Sequence, residues 1–125
     1  QLGGKLDPVT VDRDGVQKTF LAACRYFATE RWQFTAPASV QVSPERFELW
    51  IIIEGDGSFR WSNDSAPFSL AQVWLVPAGL GQFEVAPESK TTILRTYVPA
   101  DLASVAAKWT REGVSEADLK RLVFP

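Results

Sequence analysis

Residues 73–85 read VWLVPAGLGQFEV, and this stretch carries the clearest signs of the fold. An apolar run enters the turn Pro77-Ala78-Gly79, and alternating apolar and polar residues leave it. Proline and glycine in this order favour a tight turn, whereas alternation with a period of two is typical of a strand with one buried face. The stretch therefore predicts two strands, over residues 68–77 and 81–87, joined by a turn.

Similar patterns lie on both sides of this stretch. The segment RFELWIIIEGDGSFRW, residues 46–61, predicts a hairpin in which residues 47–53 and 58–61 pair across Gly55-Asp56-Gly57. Residues 19–34 predict one long strand bent near Ala28, residues 62–67 a loop, and residues 90–99 a last strand. Short strands at regular spacing, separated by turn residues, predict an all-β sandwich or barrel.

The two ends of the chain differ from this middle part. Residues 1–14 are rich in turn residues and predict a lead-in, before a barrel over residues 15–99. In residues 100–125 the apolar residues take helical spacing, with Asp101 and Ser115 as the expected N-caps of two short helices. We therefore expect a single domain, residues 1–125, with a helical tail.

The composition excludes several classes of protein. The chain has 125 residues, of which 46% are hydrophobic and 22% charged, as in one ordinary globular domain. Its formal net charge is −2 without a basic block, so we expect no nucleic-acid partner. The apolar runs are too short to span a bilayer and no signal peptide is visible, so we expect no membrane partner.

Three further features of the composition bear on chemistry and context. There is no histidine, which removes the commonest metal ligand and the commonest general base near neutral pH. The single cysteine, Cys24, excludes an internal disulfide and favours a reducing, cytoplasmic location, and we expect it to be a small buried residue. There is no methionine, so we expect the chain to be an excised domain or a processed product.

The turn and its neighbouring strands resemble the two motifs of the cupins, small barrels in which three histidines and a glutamate hold a metal ion. Aligning Pro77-Ala78-Gly79 with the second motif places its histidine at Gln82. Aligning Glu48 with the glutamate of the first motif places the two remaining histidines at Val42 and Pro44. Only Glu48 is matched, so the resemblance implies a cupin-type double-stranded β-helix, or jelly-roll barrel, without the metal site.

A closer resemblance covers residues 15–124. Four segments in this order are similar to the C-terminal cupin domain of class I mannose-6-phosphate isomerases: CRYFATERWQF, FELWIIIEGDGSF, LVPAGLGQFEV and ILRTYVP. The resemblance implies a parent enzyme that interconverts mannose 6-phosphate and fructose 6-phosphate. In that parent, zinc in an N-terminal domain polarises the open-chain carbonyl while a base moves a proton between C1 and C2.

The same resemblance implies that this chain holds neither the zinc nor a catalytic residue. The catalytic motifs of the family depend on histidines, and no histidine exists here to anchor them. We therefore expect no cofactor and no metal in this chain, and a stabilising role within the parent enzyme.

The strand after Arg46 is apolar on both faces. If Glu48 points into the barrel, as its motif position implies, alternation directs Trp50 and Ile52 the same way. The opposite face then carries Phe47, Leu49, Ile51 and Ile53. A strand that is apolar on both faces needs cover on both. The tail helices, an N-terminal catalytic domain or a homodimer mate would supply it, and we expect part of this face to be an interface with such a partner.

Two other functions stay open at this point. One is a free-standing, metal-free cupin that binds a small sugar or sugar phosphate, with Glu48, Gln82 and Trp50 as pocket candidates beside an arginine. The other is a metal-dependent enzyme with unusual ligands. The aromatic residues of the strands, Trp32, Trp50 and Trp74, are expected in the core. The strand arginines, Arg25, Arg31 and Arg95, are expected to pair with Glu30, Glu48 or another carboxylate.

Overall fold

The computed structural model describes residues 6–125, which form two antiparallel sheets and two helices. The strands and helices are β1 (Val9–Arg13), β2 (Val16–Ala23), β3 (Ala28–Phe34), β4 (Ala38–Gln41), β5 (Glu48–Glu54), β6 (Gly57–Trp61), β7 (Asp64–Phe68), β8 (Val73–Val76), β9 (Gln82–Pro87), β10 (Thr91–Tyr97), α1 (Leu102–Arg111) and α2 (Glu116–Leu122). The predicted all-β fold with two short C-terminal helices is confirmed.

The two sheets differ in size and enclose the main core between them. The large sheet has the order β1-β2-β3-β10-β5-β8, and the small sheet has the order β4-β9-β6-β7. Trp50 is fully buried between them, with its ring centroid 5.5 Å from those of both Trp32 and Phe83 and 6.1 Å from that of Phe59. These edge-to-face contacts fill the barrel interior with aromatic side chains.

Both helices pack on the inner face of the large sheet, beside the small sheet. Trp109 of α1 lies against Phe20 of β2, with ring centroids 5.1 Å apart. Phe20 pairs in register with Glu30, which pairs with Arg95, which pairs with Trp50, so all four residues belong to one face. Of the three alternatives for covering the outer face of β5, the tail helices are therefore excluded, because their apolar side belongs to a second core on the inner face.

The helix ends follow the sequence signals. Asp101 accepts a hydrogen bond from the Ser104 amide, and Ser115 accepts one from the Asp118 amide, as predicted for N-caps. After α2 the chain returns to the sheet, where the Phe124 amide donates to the Ala23 carbonyl at 2.8 Å. The helical tail is therefore attached to the sheet at its C-terminal end.

The predicted hairpin over residues 46–61 was wrong. β5 pairs with β10 and β8, whereas β6 pairs with β7 and β9, so the two strands belong to different sheets. The connection between them crosses from one sheet to the other at Gly55, whose φ of 91° requires glycine. A Cβ there would lie 2.4 Å from the Lys90 carbonyl oxygen. The turn residues were read correctly, but the pairing partners depend on contacts distant in sequence.

Three other segments differ from the sequence predictions. Residues 19–34 form the hairpin β2–β3 in place of one long strand, since the Cys24 amide bonds to the Phe27 carbonyl at 2.8 Å and closes a turn. Cys24 itself is only partly buried. Residues 62–67, predicted as a loop, contain most of β7, and residues 69–72 separate β7 from β8. The lead-in contains β1, while residues 1–5 lie outside the described part of the chain.

Candidate functional site

A cluster of buried charged groups lies at the centre of the large sheet, where the barrel core meets the helix core. It contains Glu30 of β3, Glu48 of β5, Arg95 of β10 and Lys108 of α1, and we call these four residues the ion network. Strand register brings three of them together: Arg95 lies opposite Glu30 on one side and opposite Trp50 on the other, and Glu48 lies two positions before Trp50 on the same face of β5. Two carboxylates and two cations balance in charge.

Arg95 and Glu48 form the first half of the network. The Arg95 Nε lies 2.5 Å from Glu48 Oε1, and Nη2 lies 2.8 Å from Oε2, so the guanidinium group donates two parallel hydrogen bonds to the carboxylate. Trp50 Nε1 donates to the same Oε1 at 2.9 Å. Glu48 is 4% exposed, and both its oxygens are occupied. These bonds raise the pKa of Arg95, although burial acts in the opposite direction.

Glu30 forms the second half. Its Oε2 accepts hydrogen bonds from Lys108 Nζ at 3.0 Å, from Trp109 Nε1 at 3.1 Å and from the Tyr97 hydroxyl, and its Oε1 accepts one from Trp32 Nε1 at 2.9 Å. Burial by itself would raise the pKa of this carboxyl group. The charges of Lys108 and Arg95 and the hydrogen bonds outweigh burial and lower the pKa to about 2.

The neighbours of Glu30 respond to the same environment. Burial and the Glu30 charge raise the pKa of Tyr97, so its hydroxyl stays protonated as a donor. Burial lowers the pKa of Lys108, while Glu30 opposes that shift. Removing one member of such a network leaves an uncompensated buried charge, which typically costs about 3–5 kcal/mol. The ion network therefore joins the barrel to the helices.

A groove lies over the network, between α1 and the small sheet. It consists of two adjoining cavities of about 250 Å³ and 430 Å³. The two cavities share four of their lining residues, Gln41, Arg95, Lys108 and Arg111. We call the two cavities together the helix–barrel groove. Glu48 and Arg95 of the ion network form its floor, and α1, with Lys108, forms one wall.

The structure separates the pocket candidates predicted from the sequence. Glu48 lies in the floor of the helix–barrel groove, whereas Trp50 is fully buried in the barrel core. Gln82 is exposed at the start of β9, opposite Gln41. The aromatic packing around Trp50 leaves no place for a sugar ring beside it.

The ligand positions of a cupin metal site do not suit a metal ion here. Val42 is 1% exposed within the core, Pro44 is exposed, and neither side chain has a donor atom. Gln82 faces solvent, and Glu48 is held by Arg95. Across residues 6–125, acidic and cysteine side chains nowhere gather in a group of three that suits a metal ion. The side chains at these four positions therefore do not fit zinc.

The outer face of β5, which carries every second residue of the strand, is largely exposed. Phe47 is 50% exposed, Leu49 36% and Ile53 46%. The neighbouring edge strand β8 continues this face, since Leu49 pairs with Leu75 and Ile51 pairs with Val73. We define the outer apolar face as Phe47, Leu49, Ile51, Ile53, Val73 and Leu75.

The sequence analysis did not identify several residues of the ion network and of the outer apolar face. Val73 and Leu75, which are 62% and 61% exposed, were treated only as part of an apolar run, although their alternation with Trp74 indicates that they share one face of the strand. Lys108 was not singled out, because its partner Glu30 lies 78 positions away in sequence. Glu30 was visible as a carboxylate on the buried side of β3, between Ala28 and Trp32.

The strand arginines behave differently from one another. Arg95 pairs with Glu48 and lies 4.0 Å from Glu30, as expected. Arg25 instead donates to the Tyr26 hydroxyl at 2.7 Å on the surface. Arg31 forms no ion pair with any carboxylate of residues 6–125, and its buried Nε has no hydrogen-bond partner there.

Comparison with known proteins agrees with this architecture. Residues 16–98 match the family described as mannose-6-phosphate isomerase, cupin domain. No curated protein matches the sequence at a significant level. Neither helix in residues 6–125 has the length and apolar character that crossing a membrane requires.

Several solved structures share the fold. Mannose 6-phosphate isomerase from Bacillus subtilis superimposes with a TM-score of 0.65 at 21% identity over 77% of this chain, which spans 30% of the length of that protein. Ectoine synthase from P. lautus has a TM-score of 0.63 at 13% identity, covering 79% of this chain and 75% of that one. KdgF from Halomonas sp. has a TM-score of 0.60 at 14% identity, covering 71% and 84%.

These identities establish the jelly-roll fold alone, whereas the family match covers about two thirds of the sequence and includes both the β5 and the β8–β9 segments. The expected cupin barrel is thereby confirmed. The chain belongs to the family of mannose-6-phosphate isomerase cupin domains.

Proposed function

We propose that this chain is a non-catalytic cupin module of a mannose-6-phosphate isomerase-type enzyme and docks on the catalytic domain through its outer apolar face. The observation that carries the proposal is the contiguous row of large apolar side chains on β5 and β8. Within residues 6–125 both helices pack on the opposite face of the sheet, and five of the six side chains of the row are 36–62% exposed.

The extent and position of the face support docking. The exposed side chains are contiguous, and contiguous apolar patches of a few hundred Å² on single-chain proteins are often functional. It also reaches the sheet edge, since β8 pairs with β5 on one side only. The exposed backbone of an edge strand favours association with another protein surface.

Which domain of the parent enzyme holds the zinc is inferred from the side chains at the metal-ligand positions of this chain. Since Val42, Pro44 and Gln82 do not suit zinc and Glu48 is bound to Arg95, we place the zinc and the isomerase chemistry in another domain. The Bacillus subtilis enzyme supports this division, because a match to this chain occupies only 30% of its length. The cytoplasmic location expected from the single cysteine belongs to the same proposal.

The test measures docking directly. The chain is mixed with the zinc-binding domain encoded in the same reading frame, and the affinity is compared with that of Leu49→Ser/Leu75→Ser. We expect the double variant to bind at least roughly tenfold more weakly, since loss of buried apolar anchors costs about 1–2 kcal/mol or more. The control is Tyr26→Ser, which alters a side chain that is 66% exposed at the β2–β3 turn.

Three results would contradict the proposal. One is a reading frame that encodes no zinc-binding domain, and another is equal affinity for the double variant and the native chain. The third is sedimentation of the native chain as a dimer that the double variant abolishes, which would assign the face to a second copy of the chain.

A further inference from the structure

Arg31 lies on the outer side of the large sheet, beside the outer apolar face. The residues before and after it on β3 are buried on the inner side, so alternation directs Arg31 outwards. Arg31 lies opposite Leu94 of β10, and Leu94 lies opposite Ile51 of β5. Ile51 in turn pairs with Val73 of β8. One row of residues therefore leads across the sheet from the arginine to the outer apolar face.

The guanidinium group of Arg31 lacks a compensating charge. It forms no ion pair with any carboxylate of residues 6–125 and stacks on no aromatic ring among them. Within the same residues, its Nε is the one buried side-chain nitrogen or oxygen without a hydrogen-bond partner. Residues 1–5, QLGGK, contain no acidic side chain. Because buried polar groups of folded proteins nearly always have a partner, an unpaired one on an outer face indicates a contact with another molecule.

A partner that covers the outer apolar face also covers Arg31. Neighbouring strands lie about 4.8 Å apart, so Arg31, two strands away from Ile51, lies roughly 10 Å from it. A typical interface buries about 800 Å² on each partner, and a round footprint of that area has a radius of about 16 Å. A footprint centred on β5 therefore includes the arginine.

An entirely apolar cover over Arg31 would be unfavourable. Removing a cation from water costs free energy unless an anion meets it in the covered site. A carboxylate is the anion that protein side chains supply, and it accepts two parallel hydrogen bonds from a guanidinium group. Arg95 and Glu48 show this geometry on the inner side of the same sheet. The surface that docks on the outer side should therefore carry an acidic side chain.

We propose that Arg31 binds an aspartate or glutamate carboxylate of the domain that docks on the outer apolar face. This inference rests on the proposed docking role and adds the chemistry of the partner surface, which is apolar over β5 and β8 and acidic over β3. Arginine is among the residues that contribute most to the affinity of protein interfaces.

The surroundings of Arg31 favour a single carboxylate over a polyanion. The residues opposite and beside it on the outer side are uncharged, namely Thr19, Thr29, Gln33 and Leu94. A nucleic acid or another polyanion is held by several cations at once, whereas one isolated cation matches one carboxylate.

The inference predicts opposite effects on docking and on the stability of the free chain. Arg31→Met keeps the apolar stem of the side chain and removes the unpaired charge. The free variant should therefore unfold at the same temperature as the native chain or at a higher one, since no ion pair within residues 6–125 is lost. Docking should weaken at least roughly tenfold, because the carboxylate of the partner is left without its cation.

The test measures the Kd for the zinc-binding domain encoded in the same reading frame by calorimetry, and the thermal midpoint of each free chain by circular dichroism. Arg111→Met is the matched control and should leave the Kd unchanged. It removes an exposed arginine that likewise forms no ion pair within residues 6–125, from α1 on the other side of the sheet. Arg31→Lys keeps the charge but not the paired hydrogen bonds, so its Kd should lie between those of the native chain and Arg31→Met.

The Arg31→Lys variant also identifies the carboxylate. A water-soluble carbodiimide condenses an amine with a nearby carboxylate to an amide, and takes up the water that is lost to become a urea. Mass spectrometry of the treated complex should find position 31 linked to an aspartate or glutamate of the partner. The native complex, whose guanidinium group does not react, is the control.

Three results overturn the inference and leave docking in place. The first is an unchanged Kd of Arg31→Met while Leu49→Ser/Leu75→Ser still binds more weakly. The second is an equal loss of affinity in Arg31→Met and Arg111→Met, which would show a general effect of net charge. The third is a lower thermal midpoint of free Arg31→Met, which would assign the arginine to the fold.

Two other results separate this inference from the docking proposal. The absence of any docking overturns both. Weaker docking of Arg31→Met together with unchanged docking of Leu49→Ser/Leu75→Ser supports the carboxylate contact and overturns the apolar anchors.

Discussion

Replacement of Glu30 by glutamine tests how strongly the ion network stabilises the fold. The pKa of Glu30 is lowered from its ordinary 4.5 to about 2, and each pKa unit corresponds to about 1.4 kcal/mol. The ionised carboxylate therefore contributes about 3 kcal/mol to the free energy of unfolding at neutral pH. Glu30→Gln keeps the shape of the side chain but removes this contribution, so we expect a loss of about 3 kcal/mol at pH 7.

The same shift predicts a pH dependence. Because the folded-state pKa of Glu30 lies below the unfolded value, its contribution is complete above about pH 5 and disappears as the pH falls through 4.5 towards 2. Urea unfolding followed by tryptophan fluorescence, at pH 7 and at pH 3, measures both effects. The difference between the native chain and Glu30→Gln should shrink at the lower pH.

The matched control is Glu84→Gln. Glu84 lies 3.4 Å from Arg60 in a pair whose side chains are 42% and 59% exposed, so its loss should change stability by less than about 1 kcal/mol. The reasoning is refuted if Glu30→Gln is as stable as Glu84→Gln at pH 7. It is equally refuted if the variant and the native chain lose stability in parallel on acidification.

Two further predictions concern the same sheet. Arg95→Met and Glu48→Met should each lower the free energy of unfolding by about 3–5 kcal/mol. The double variant should lose clearly less than the sum of the two, because it leaves neither charge unpaired. Additive losses in a double-mutant cycle measured by urea unfolding would contradict this. Gly55→Ala should destabilise by about 2 kcal/mol or more, since its φ is 91° and a Cβ would meet the Lys90 carbonyl. Gly15 has a φ of 79° but open space around it, so Gly15→Ala should lower the free energy of unfolding by only about 1 kcal/mol, measured by thermal denaturation. Equal losses at the two glycines would show that the contact between the added Cβ at position 55 and the Lys90 carbonyl is unimportant.

Part of the candidate site was accessible from the sequence. The motif position of Glu48 implied that it points into the barrel, alternation placed Trp50 and Ile52 on the same side, and a strand arginine was expected as its partner; all three side chains are buried and Arg95 binds Glu48. The pairing of Glu30 with Lys108 was not predicted, because the two residues are 78 positions apart and meet only when α1 packs on the sheet. The groove is a product of that packing, so no local pattern in the sequence shows it.

The helices too were only partly predictable from the sequence. The caps at Asp101 and Ser115 were predicted, since a cap depends on hydrogen bonds that span three residues. The surface on which the helices pack was left open, and the one surface considered for them, the outer face of β5, is not the one they cover. An amphipathic pattern identifies the apolar side of a helix, but the free energy of burying that side is nearly independent of which apolar surface receives it.

The sequence by itself determined where most strands lie, because alternation and turn residues act over a few neighbouring positions. It also determined, through the absence of histidine, that the usual ligand set of a cupin metal site is missing. Only the tertiary structure decided which strands pair, as β5 and β6 show by joining different sheets. The reason is physical: a period of two specifies a face, whereas the choice of a neighbour depends on contacts between residues far apart in the chain, and these form only when the whole domain folds.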